Sequence, residues 1–82
     1  MKNSKLETAV IMAMVKYRAY ENREIEDARI VFRYVDKAKK IMHRLDIDDQ
    51  LSANDRHQAE DLLRDCEIET AKLCLAINTI ES

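Results

Sequence analysis

Apolar residues recur along this chain at spacings of three and four. Residues Ala28, Val31, Val35, Ala38, Met42 and Leu45 step by 3, 4, 3, 4 and 3. Residues Ala59, Leu63, Cys66, Thr70, Leu73, Ile77 and Ile80 step by 4, 3, 4, 3, 4 and 3. Both are heptad seams, the pattern of helices that bury one stripe against other helices. A further register, Leu6, Val10, Ala13, Tyr17 and Tyr20, covers the N-terminal part. It meets the first seam at Tyr20-Glu21-Asn22-Arg23, where Asn22 suits an N-cap or a left-handed turn. The pattern therefore predicts helices over about 4–20 and 23–46, with one continuous helix over about 4–46 as the alternative.

The second boundary lies where the period is lost, over Asp46-Ile47-Asp48-Asp49-Gln50-Leu51. Ser52-Ala53-Asn54-Asp55 then reads as a capping box with Asp in place of the usual Glu or Gln. A third helix is predicted over about 53–80. The short connection implies an antiparallel hairpin of the second and third helices, with the first helix added to it. The expected fold is all-α: a single domain over residues 1–82 assembling as a helical bundle. Glycine and proline are both absent, so the chain lacks the usual residues for tight turns and helix breaks.

Each long helix carries a second apolar stripe, Ile30, Tyr34 and Ile41 on one, Ile68 and Leu75 on the other. A two-helix hairpin covers only one face of each helix. The first helix could cover part of the remainder and a second subunit the rest. Ala9 to Val15 is apolar nearly all round, as in a helix central to a bundle. A homodimer is therefore expected, with Val10, Tyr17, Val31, Val35, Met42, Leu63, Leu73 and Ile77 as candidate interface residues.

Charge is segregated although the formal net charge is only −2. Residues 33–44 carry five bases and one acid, and residues 45–69 carry nine acids and two bases. Arg33, Lys37, Lys40 and Arg44 sit two residues past the seam, about 200° round the helix, and form one outward ridge. Lys39 and His43 lie nearby. Such a ridge can grip an acidic protein surface or follow phosphates. A solvated face with cations at a helix C-terminus is the plain reading. The acidic start of the third helix, including outward Asp61 and Asp65, would lie beside the basic end of the second.

Other chemistry is sparse. Asp46, Asp48, Gln50, Ser52 and Asn54 have calcium-loop spacing, but Leu51 stands where glycine is needed and His57 where glutamate is. A helix-capping loop is the better reading. His43, His57, Cys66 and Cys74 form no zinc-type pair. Cys66 and Cys74 are about 12 Å apart along one helix, too far to bridge. Cys66, on the seam, reads as a core thiol. No cofactor or metal is implied. The longest apolar run has seven residues, short of the roughly 20 needed to cross a bilayer, and its flanks do not read as a signal peptide. Reduced thiols point to the cytoplasm.

In helix length, spacing and acidic turn, His57 to Ile80 resembles small helical-hairpin proteins. Plasmid RNA-binding hairpins that dimerise into four-helix bundles and small type III secretion co-chaperones are examples. The likeness spans about a third of the chain and assigns no residue a role. The expected function is non-enzymatic: a helical protein–protein interaction module (adaptor, chaperone-like subunit or inhibitor) acting through helix faces. The alternative is a dimeric nucleic-acid-binding regulator using the basic ridge.

Overall fold

A computed structural model describes residues 3–81, with side chains through residue 79. Three helices, α1 (Ser4–Glu21), α2 (Ala28–Ile47) and α3 (Ala53–Glu81), form an all-α bundle 47 × 17 × 16 Å in extent. The chain runs up, down and up. Lys39 of α2 pairs with Glu67 of α3, and Asp46 with Arg56, so these helices are antiparallel. Cys66 of α3 reaches the Ala13 carbonyl of α1, and Tyr20 shares a cleft with Cys74 and Ile77. These levels make α1 and α3 parallel. Helix α1 packs on both partners and most extensively on α2.

The heptad registers supply the core. Leu6, Val10, Ala13 and Tyr20 come from α1, Ala28, Val31, Val35, Ala38 and Leu45 from α2, and Ala59, Leu63, Cys66 and Thr70 from α3. Leu6 and Leu63 are among the largest fully buried side chains, and such a residue contributes roughly 1.5–3 kcal/mol. Tyr17, Met42, Leu73 and Ile77 are half-buried at the edge. Ile80, the last seam position, lies outside the described side chains. Thr70 is fully buried in this core, and its hydroxyl is satisfied by donating to the Cys66 carbonyl at 2.7 Å.

The α1–α2 boundary differs from the expected one. Helix α2 begins at Ala28, because Asp27 caps it by accepting the Arg29 amide at 2.9 Å. Residues 23–27 form a connector. Asn22 is the C-cap of α1 with φ −85°, and Arg23 takes the left-handed conformation at φ 63°. The Glu24 amide donates to the Ala19 carbonyl and the Arg23 amide to that of Tyr20, a Schellman ending. Helix α2 ends the same way: Asp49 has φ 57°, and the Gln50 amide donates to the Leu45 carbonyl. At α3 the expected cap is present, with Ser52 Oγ accepting the Asp55 amide at 3.1 Å.

Both Schellman turns are thus made without glycine. A β-carbon in the left-handed region costs about 1–2 kcal/mol, against about 0.5–1 kcal/mol of added chain entropy for glycine. Arg23→Gly should therefore raise stability by about 0.5–1 kcal/mol, read as a thermal midpoint higher by a few degrees. Asp49→Gly should gain less, because aspartate tolerates this conformation better than arginine.

Helix α1 is not central. Lys16 of α1 lies 5.2 Å from the Tyr34 ring centroid, so α1 meets the second stripe of α2. Ile30, Tyr34 and Ile41 are half-buried, and Tyr34 and Ile41 pack against the core. The outer side of α1 faces solvent.

Candidate functional site

The basic ridge stands on the outer face of α2. Arg33, Lys37, Lys40 and Arg44 are all exposed. The register requires this: Val31, Val35, Ala38 and Leu45 fix the opposite side in the core. Lys40 pairs with Asp36 at 3.1 Å one turn before it. Lys37 lies 5.5 Å from the Tyr34 ring. Arg33, Lys37 and Arg44 make no ion pair among the described residues.

The acidic block does not neutralise this ridge. The cross-helix pairs between α2 and α3 are Lys39–Glu67 at 2.6 Å and Asp46–Arg56 at 3.0 Å. Lys39 therefore belongs to the α2–α3 joint. Asp61 is exposed, as expected, and bonds Arg64 within α3 at 2.6 Å. Lys39, Lys40, His43, Arg44 and Ile47 border a shallow groove at the last turns of α2, where Ile47 is 69% exposed. Ile47 has no counterpart in the sequence expectations. The loss of period at 46–51 hides it.

The eight candidate interface residues are placed in or against the chain's own core. Val10, Val31, Val35 and Leu63 are at most 2% exposed. Tyr17, Met42, Leu73 and Ile77 pack around them. Val10, Val31, Val35 and Leu63 are therefore covered by the three helices themselves, while the other four keep part of their surface open. Among the described residues the large apolar side chains left exposed are different: Ile11, Met12 and Val15 on α1, Ile47, and Ile68 and Leu75 on α3. The all-round apolar run of α1 was the available signal for the first three, but composition cannot tell a covered face from an open one.

A cleft of about 400 Å³ lies between the α1–α2 connector and the C-terminal part of α3. Tyr20, Phe32, Cys74 and Ile77 contribute its wall and Arg23, Asp27 and Arg29 its rim. Two of the rim charges pair with each other: Asp27 accepts from the Arg29 side chain at 3.0 and 3.2 Å and from its amide. These bonds hold the Asp27 carboxyl below the usual carboxylate range.

The remaining candidates have structural surroundings. Burial pushes the Cys66 thiol up, which favours the unreactive protonated form. Its Sγ donates to the Ala13 carbonyl at 3.6 Å. Tyr17 is pushed up to about 12, first by burial and then by its hydroxyl donating to Glu21 at 2.9 Å. The oxygen-rich segment 46–54 is spent on helix ends, with Asp48 as the α2 C-cap and Ser52 capping α3. Among the described residues no group of three or more His, Cys, Asp or Glu side chains is placed to hold a metal ion. None of the described helices is long and apolar enough to cross a membrane.

The two cysteines should separate cleanly. Cys66→Ala removes a buried sulfur and should cost about 1 kcal/mol through lost packing. Cys74, half-buried beside Asn78, should tolerate Cys74→Ser with little change. Chemical denaturation of both variants, with partner binding as a control expected to stay constant, checks this.

Comparison of the chain with family models, curated proteins and solved structures finds no match.

Proposed function

We propose that this protein is a small non-enzymatic interaction module that binds another protein through exposed helix faces. The observation that carries this reading is the α2 ridge. Arg33, Lys37 and Arg44 stand exposed on one rigid helix face without an ion-pair partner among the described residues. Maintaining like charges on one face is unfavourable by about 0.2–0.5 kcal/mol for each close pair on a helix. An acidic protein surface would relieve that repulsion and be steered toward the ridge. The groove ending at Ile47 adds an apolar contact beside the charges. Adaptor, inhibitor and chaperone-like roles all fit such a surface, working in the cytoplasm with reduced thiols.

The second reading is a dimeric regulator that lays the same ridge along nucleic acid. Favouring it, Arg33 and Arg44 lie about 16 Å apart along the helix, which can follow successive phosphates. Against it stand the net charge of −2 and the strongly acidic α3. A gel-shift titration on single- and double-stranded RNA and DNA separates the two. The protein-binding reading expects no shift at physiological salt. Micromolar binding there, abolished by Lys37→Glu with Lys40→Glu, would replace it with the regulator.

A further inference from the structure

We propose that the outer face of α1 is a self-association surface that pairs two copies of this chain antiparallel about a two-fold axis. It is a different face from the α2 ridge, and it stands or falls apart from the partner reading. Two independent features point to it. The first is apolar exposure. Ile11, Met12 and Val15 are 50%, 37% and 48% exposed and lie within two turns of one helix. Ile68 and Leu75 on α3 are also exposed, but they stand seven positions apart with Lys72 between them.

The second feature is the charge at the ends of this patch. At about 100° per residue, Thr8, Ile11 and Val15 fall within about 40° of the direction opposite buried Leu6. Glu7 and Arg18 lie on one flank of that stripe, about 80° and 60° from its centre. Both are exposed, and neither makes an ion pair among the described residues. They are eleven positions apart, about 16 Å along the axis.

In an antiparallel pair, residues on the same flank of each helix face one another. Glu7 of one copy then stands opposite Arg18 of the other, and the two-fold repeats the contact at the far end. The same register sets Ile11 of each copy beside Val15 of the other. On the opposite flank Lys5 meets Ala19, which carries no charge. A parallel pair brings opposite flanks together instead, setting Glu7 beside Lys5 at one end and leaving Arg18 opposite uncharged Ala19 at the other. The antiparallel pair therefore closes both ends of the apolar patch with opposite charges, where the parallel pair closes only one. One 18-residue helix per copy gives a contact below the standard size of about 1,600 Å², so the dimer is weak and concentration-dependent.

Sedimentation equilibrium of the full chain from micromolar to millimolar concentration tests this. The expected result is a monomer–dimer equilibrium. Glu7→Arg or Arg18→Glu alone weakens it about tenfold, because each change acts at two symmetric contacts. The two changes together restore it. Val15→Glu, at a position exposed in the monomer, abolishes it while circular dichroism shows the helices intact. A monomer at every concentration would overturn the proposal. So would a dimer indifferent to these changes, or one weakened by each reversal and not restored by the pair.

Discussion

Val35→Asp unfolds the protein, while Leu73→Asp leaves it folded and weakened. The two positions look equivalent in the heptad pattern, and the difference is burial. Val35 is 2% exposed between the three helices. The nearest base, Lys39 one turn on, is already paired with Glu67, and an uncompensated buried charge costs several kcal/mol. At about 0.05–0.15 kcal/mol per residue, a chain of this length has roughly 4–12 kcal/mol in total. One such charge removes most of it. Leu73 is half-buried on the part of α3 where Leu75 and Ala76 are already exposed. A carboxylate at 73 can turn toward water, and the cost falls to the lost apolar contact, about 1–2 kcal/mol. Urea titration followed by circular dichroism should find no transition for the first variant and an earlier cooperative one for the second.

Lys37→Glu with Lys40→Glu is expected to leave the fold in place and weaken partner binding about five- to 150-fold. Within the chain, Lys40 gives up an exposed ion pair to Asp36, worth about 0.3–0.5 kcal/mol in helices. Lys37 gives up a contact with the Tyr34 ring that Lys16 also makes from α1. Neither loss approaches the total stability. At an acidic partner surface the same change turns two attractions into two repulsions, roughly 1–3 kcal/mol together. The wild-type interaction should weaken as salt rises, and the variant should show a shallower dependence.

The core was legible because its spacing is a direct consequence of helical geometry. Leu6, Val31, Val35, Ala59 and Leu63 are where a 3-4 repeat puts them. The outward ridge was legible by the same arithmetic. The start of α2 was not. Glu24 and Glu26 are sound helix formers, and nothing in the local pattern shows that Arg23 turns left-handed. That conformation is set by the Schellman bonds and by the return of the chain onto α1. The role of α1 was misread for another reason. An all-round apolar run states that a helix could be buried on every side, and only the packing shows that Ile11 and Val15 are open. Four of the candidate interface residues, Val10, Val31, Val35 and Leu63, lie on seams that the three helices close on themselves. Which surface remains for a second molecule is decided only after that closure.

The claim that the α2 ridge binds a protein is tested most directly by affinity capture from lysate of the source cells with and without nuclease treatment. Wild-type protein and the Lys37→Glu, Lys40→Glu variant are compared at equal loading and equal helicity. The expected result is a protein retained by the wild type at physiological salt and lost with the variant. Equal capture by the two, or capture that disappears with nuclease treatment, would contradict it.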